Sequence, residues 1–131
     1  MNRKLSAKWI WHKGSDANPY NETIIARRVF EVKKNVLHAS VRITADSFYR
    51  LFINDRWICD GPCRAWPEHY SFDTVDVASY LCKGKNKIEI VARYYGTGTF
   101  HNIPQRPGLL AQLDIRFDDK KSIILATDET W

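Results

Sequence analysis

Asp46-Ser-Phe-Tyr-Arg-Leu-Phe-Ile-Asn-Asp-Arg-Trp-Ile-Cys-Asp-Gly-Pro-Cys-Arg64 is the stretch that decides the fold. Tyr49, Leu51 and Ile53 alternate with other side chains, the period of a strand with one buried face. Asn54-Asp55 tolerates positive φ and suits a tight hairpin turn. A second short strand at Ile58–Cys59 follows, and Gly61-Pro62 breaks it. The stretch therefore reads as a β-hairpin feeding a loop.

The same period recurs outward from this hairpin. Leu37, Ala39, Val41, Ile43 and Ala45 are apolar at every second position, while His38, Ser40, Arg42 and Thr44 take the other face. Ile88, Ile90, Ala92 and Tyr94 repeat the pattern, as do Leu109, Ala111, Leu113, Ile115 and Phe117. Further strands are expected at Trp9–Trp11, Ile24–Val32, Thr74–Val77 and Ile123–Ala126, about eight or nine in all. Helical periodicity is confined to one short turn around Ala78–Leu81. Many short strands punctuated by Asn, Asp, Gly and Pro point to an all-β, antiparallel β-sandwich of jelly-roll type. Leu51, Ile53, Ile90, Leu113 and Ile115 are its expected core.

The chain has 131 residues, enough for one core and too few for two ordinary domains. We expect a flexible lead over residues 1–7 and a single sandwich over residues 8–131. No apolar run reaches the ~20 residues of a membrane span, so no membrane partner is expected. Met1–Lys8 lacks the apolar segment of a signal peptide, which implies the cytoplasm if Met1 is native and the periplasm or exterior if a signal has been removed. The net charge of +5 is scattered over turn lysines, Lys33-Lys34, Lys83/Lys85/Lys87 and Lys120-Lys121. With no basic helix or binding motif beside it, that charge does not suggest nucleic acid. Cys59, Cys63 and Cys82 are an odd number, so a complete disulfide framework cannot be written. Cys59 and Cys63, with His69 near, form only a loose half-site for zinc, and structural thiols are the expectation, with no metal and no cofactor.

Catalysis is not expected of this chain. A glycosidase needs two convergent carboxylates, and Asp73 and Asp76, three apart on a strand, face opposite ways. The four histidines stand beside no nucleophile motif, and Gly96-Thr-Gly98 is not followed by the helix of a phosphate loop. The richest ligand-contact candidates are Arg64, Trp66, His69 and Tyr70 in one loop and Tyr95 and His101 in another. Flat aromatic rings with Arg and His suit the apolar faces and hydroxyl rim of a sugar. The same residues suit an interface with a neighbouring domain, where Trp, Tyr and Arg are the usual anchors. The second use is preferred, because a domain taken from a larger chain exposes whatever it formerly buried.

The order of these motifs resembles the N-terminal β-sandwich, galactose-binding-like domain of bacterial α-L-rhamnosidase-like glycoside hydrolases. The resemblance rests on the Asp46–Arg64 hairpin, the loop signature Gly61-Pro62, Arg64, Pro67, His69 and Asp73, the run into Asp76-Val77 and Leu81, and the late strand Gly108–Ile115. It covers roughly residues 8–131, although Trp66 is less typical of it. It implies a non-catalytic accessory domain whose partner is a catalytic α/α-barrel domain of the same parent chain. A carbohydrate-binding module is the alternative that it also accommodates. Trp131, directly after a strand, resembles the point where the family sequence continues, so a truncated fragment of a larger enzyme is expected.

Overall fold

The computed structural model describes residues 5–11, 21–62, 72–94 and 108–131. Within them lie eight strands: β1 (Glu22–Val32), β2 (Val36–Asp46), β3 (Phe48–Ile53), β4 (Arg56–Gly61), β5 (Asp73–Asp76), β6 (Gly84–Tyr94), β7 (Gly108–Phe117) and β8 (Ser122–Ala126). A 3-10 turn at Ala78–Tyr80 stands where the short helical period is read. One sheet has the order β1-β6-β3-β4 and the other β5-β2-β7-β8, with antiparallel pairing throughout. Only β3–β4 and β7–β8 are neighbours in both sequence and sheet. Every other connection crosses between sheets, as in a jelly roll, and the fold is an antiparallel β-sandwich.

The core is the set of inward positions that the alternation marks. Leu51, Ile53, Ile90 and Ile115 are fully buried, and Leu113 is 1% exposed. Across one sheet Ala26, Ile90 and Leu51 form a continuous row, since Ala26 pairs with Ile90 and Ile90 with Leu51. Val41, Ile43, Leu109 and Leu113 cover them from the other sheet. Burial of these faces is the main favourable contribution to folding.

Two local expectations are corrected by the packing. Leu37 is 53% exposed, because a bulge between Val36 and His38 adds a residue to β2 and turns Val36, not Leu37, toward the core. The strand expected at Trp9–Trp11 reduces to a single bridge, Ile10 with Leu109. The edge of β7 is already occupied: β8 pairs as far as Gln112–Ala126, and Thr127 N donates to Ala111 O. Only Leu109 remains for the N-terminal segment.

That segment lies across the outside of β7. Ser6 N donates to Gln112 Oε1 at 2.7 Å, and Lys8 N donates to Thr127 O at 2.8 Å. The cover explains why Gln112, an outward position, is fully buried.

The Asn54-Asp55 turn takes φ of 50° and 64°, as two central residues of a type I′ hairpin must. Asn54 Nδ2 also donates to Tyr80 O and to Asn86 Oδ1, both at 2.9 Å. Asn86 is 1% exposed and binds Cys82 N through Oδ1 and Cys82 O and Gly84 O through Nδ2. Asn86→Ala is expected to cost about 1–3 kcal/mol, since several buried polar groups lose their partner at once. A lowered urea midpoint at unchanged m-value measures it.

Candidate functional site

The strand registers bring three segments to one end of the sandwich. Glu22, the start of β1, pairs with Tyr94, the end of β6, and Gly61, the end of β4, pairs with Tyr49 near the start of β3. In the second sheet Asp73 pairs with Ile43 and Gly108 with Asp46. The described residues that flank segments 12–20, 63–71 and 95–107 therefore gather at this pole. Arg64, Trp66, His69 and Tyr70 belong to the second segment and Tyr95 and His101 to the third, so all six lie outside the described residues. Cys63 does too, and with it the Cys59–Cys63 half-site.

The flanks of the 63–71 loop are tied across the two sheets. Tyr49, fully buried on β3, donates its hydroxyl hydrogen bond to Asp73 Oδ2 on β5, and Cys59 Sγ stands 3.9 Å from the same hydroxyl. Burial first, and then the bond to Asp73, push the Tyr49 phenol far above its ordinary range. Burial likewise pushes the Cys59 thiol up, which makes it a poor nucleophile. Gly61 completes this link because any Cβ there would come within 2.8 Å of Tyr49 Oη and 2.9 Å of Tyr49 Cε1. The Gly of the Gly61-Pro62 signature thus has a steric reason.

The β1 edge of the sandwich, where residues 8–11 and 128–131 converge, carries a half-open cleft of about 420 Å³. Trp9, Trp11 and Trp131 line it with Ile24 and Ile25 of β1, and Lys8, Asp128 and Glu129 supply charge. Each indole is held. Trp11 Nε1 donates to Glu22 Oε1 at 3.2 Å and its ring meets Tyr94 edge-on, with centroids 6.4 Å apart. Trp131 Nε1 donates to Ala126 O at 2.9 Å. Trp9 lies against Gly108, where a Cβ would come within 2.6 Å of its ring. The sequence reading assigned Trp9 and Trp11 to a strand and Trp131 to a domain boundary. The signal for a shared site was three of five tryptophans at the chain's two ends, but only the fold shows those ends converge.

Many carboxylates of the described residues are engaged in structural pairs. Arg50 holds Asp60, Arg42 holds Asp114, and Arg27 and Lys87 hold Glu89. Asp73 turns inward to Tyr49, whereas Asp76 accepts Ala78 N at 3.0 Å on the exposed side, the opposite-face arrangement expected of them. The hydrogen bond from Arg50 keeps Asp60 below its ordinary range, Lys87 and Arg27 do so for Glu89, and Thr130 does so for Asp128. A general acid for glycoside cleavage needs the opposite shift. Among the described residues no three His, Cys, Asp or Glu side chains cluster to hold a metal ion.

Residues 34–131 match the family described as the α-L-rhamnosidase N-terminal domain. The chain belongs to that family. An α-L-rhamnosidase of Alteromonas sp. (strain LOR) is 28% identical over 99% of this chain. The crystal structure of a GH78-family rhamnosidase of Bacillus sp. GL1 superposes with a TM-score of 0.83 at 34% identity, over 97% of this chain. This N-terminal domain spans only 16% of the first relative and 13% of the second. A lectin from Pleurotus ostreatus in complex with GalNAc shares the fold, with a TM-score of 0.73 at 21% identity, and covers 95% of this chain and 35% of its own.

Proposed function

We propose that this domain is a non-catalytic accessory part of an α-L-rhamnosidase-type glycoside hydrolase, and that it supports a catalytic α/α-barrel domain of the parent protein. The observation that carries the reading is the match of residues 34–131 to the α-L-rhamnosidase N-terminal domain. The small share of the rhamnosidase relatives that this chain spans supports it as well. Purified residues 1–131 with an aryl α-L-rhamnoside are expected to release no more phenol than buffer. Turnover that survives repurification would overturn the reading.

A second reading, a carbohydrate-binding module, is favoured by the shared pole of the candidate loops, since binding loops gather on a rigid scaffold's strand ends. The lectin relative supports a sugar-compatible fold and no more. Trp66 separates the two. A scaffold predicts that Trp66→Ala or His69→Ala destabilises the parent enzyme, because those side chains then fill an interface. A module at that loop predicts instead that Trp66→Ala removes saturable rhamnoside binding and leaves the fold intact.

A further inference from the structure

We propose that the cleft of Trp9, Trp11 and Trp131 at the β1 edge is a metal-independent binding site for a neutral pyranoside, separate from the 63–71 loop. The site goes beyond the accessory role and does not depend on it. Its volume of about 420 Å³ lies within the range of small-molecule sites, and it is lined by three tryptophans together with Ile24 and Ile25 of β1. Indole surface is what the C–H face of a pyranose requires, and the rings are fixed before any ligand arrives. Trp11 is tied to Glu22, Trp131 to Ala126 O, and Trp9 rests on Gly108, so little ordering entropy remains to oppose binding.

The polar groups of the cleft choose among ligands. Asp128 and Glu129 are acceptors for sugar hydroxyls, and Asp128 is fixed by Thr130, whose N–H donates to Oδ1 at 2.8 Å and whose hydroxyl does so at 2.6 Å. Lys8 in the cleft and Arg28 beside it, whose Nη1 donates to Thr130 Oγ1 at 2.8 Å, balance these two carboxylates, so a neutral ligand needs no counter-charge. The strands β4 and β5, which flank segment 63–71, are the edges opposite β1 and β8 in the two four-stranded sheets, a separation of about 14 Å at the spacing of neighbouring strands.

The test uses the full chain, methyl α-L-rhamnopyranoside as probe, and calorimetry with ligand-observed NMR, so that loss of a tryptophan does not remove the signal. Saturable binding is expected below about 50 mM. It should persist in EDTA and in Trp66→Ala. Ile25 lines the cleft and is 63% exposed, so Ile25→Arg puts a long charged side chain at its wall without entering the core and should abolish binding. Trp9→Ala should do the same, and Ile25→Arg keeps the test meaningful if Trp9→Ala fails to fold. Absence of saturation by that concentration, loss in EDTA or in Trp66→Ala, or survival of binding in a folded Ile25→Arg protein would each overturn the proposal.

Discussion

Ile90→Ala is expected to lower the folding free energy by about 2–5 kcal/mol, read as a fall in the urea midpoint. Ile90 is fully buried at the middle of its row, with Ala26 on one side and Leu51 on the other. The small Ala26 side chain cannot reach into the space left by the missing atoms, and the facing sheet is held by its own hydrogen bonds. A cavity therefore adds to the lost transfer free energy. That cost is a large part of the ~5–15 kcal/mol available to a domain, so partial unfolding near physiological temperature should accompany it. A cost below about 1 kcal/mol would mean that the sheets close over the site, contrary to this packing.

Tyr49→Phe should remove about 1–3 kcal/mol at neutral pH, because the Asp73 carboxylate loses its tyrosine donor across the two sheets. The same residue makes stability fall in alkali. The folded phenol is raised above the ordinary value of 10.0, so folded and unfolded states are both protonated below pH 10 and this contribution is whole there. Above pH 10 the unfolded phenol ionises while the folded one does not, and the contribution is progressively lost. Urea midpoints measured between pH 8 and pH 11 should fall more steeply for the parent than for Tyr49→Phe. Native-state absorbance should show one tyrosine that stays protonated until unfolding. Titration of Tyr49 near pH 10 in the folded protein would contradict the buried inter-sheet link.

Much of this was legible before the fold was known, and the reason is periodicity. Tyr49, Leu51 and Ile53, or Ile88, Ile90 and Ala92, alternate so regularly that only one face of each strand can be buried, and the structure buries that face. Asn54-Asp55 was readable as a turn because few residues accept two successive positive φ angles. The hairpin and its Gly-Pro exit also carried the family resemblance that the match over residues 34–131 confirms. Leu37 was misplaced by the same logic that succeeded elsewhere: a bulge adds one residue, and alternation counted along a single strand cannot register it.

The sequence by itself determined the strands, the core residues and the turn chemistry, since these depend on neighbours two to four positions apart. Tertiary structure decided everything that joins distant positions. It alone brings Tyr49 to Asp73 across two sheets, sets Gly61 and Gly108 under neighbouring rings, and sends the flanks of three loops to one pole. It also brings Trp9 and Trp11 from one end of the chain and Trp131 from the other to one cleft. Such pairs are fixed by strand order and register. These follow from how two twisted sheets bury their inner faces together, and no local pattern records them.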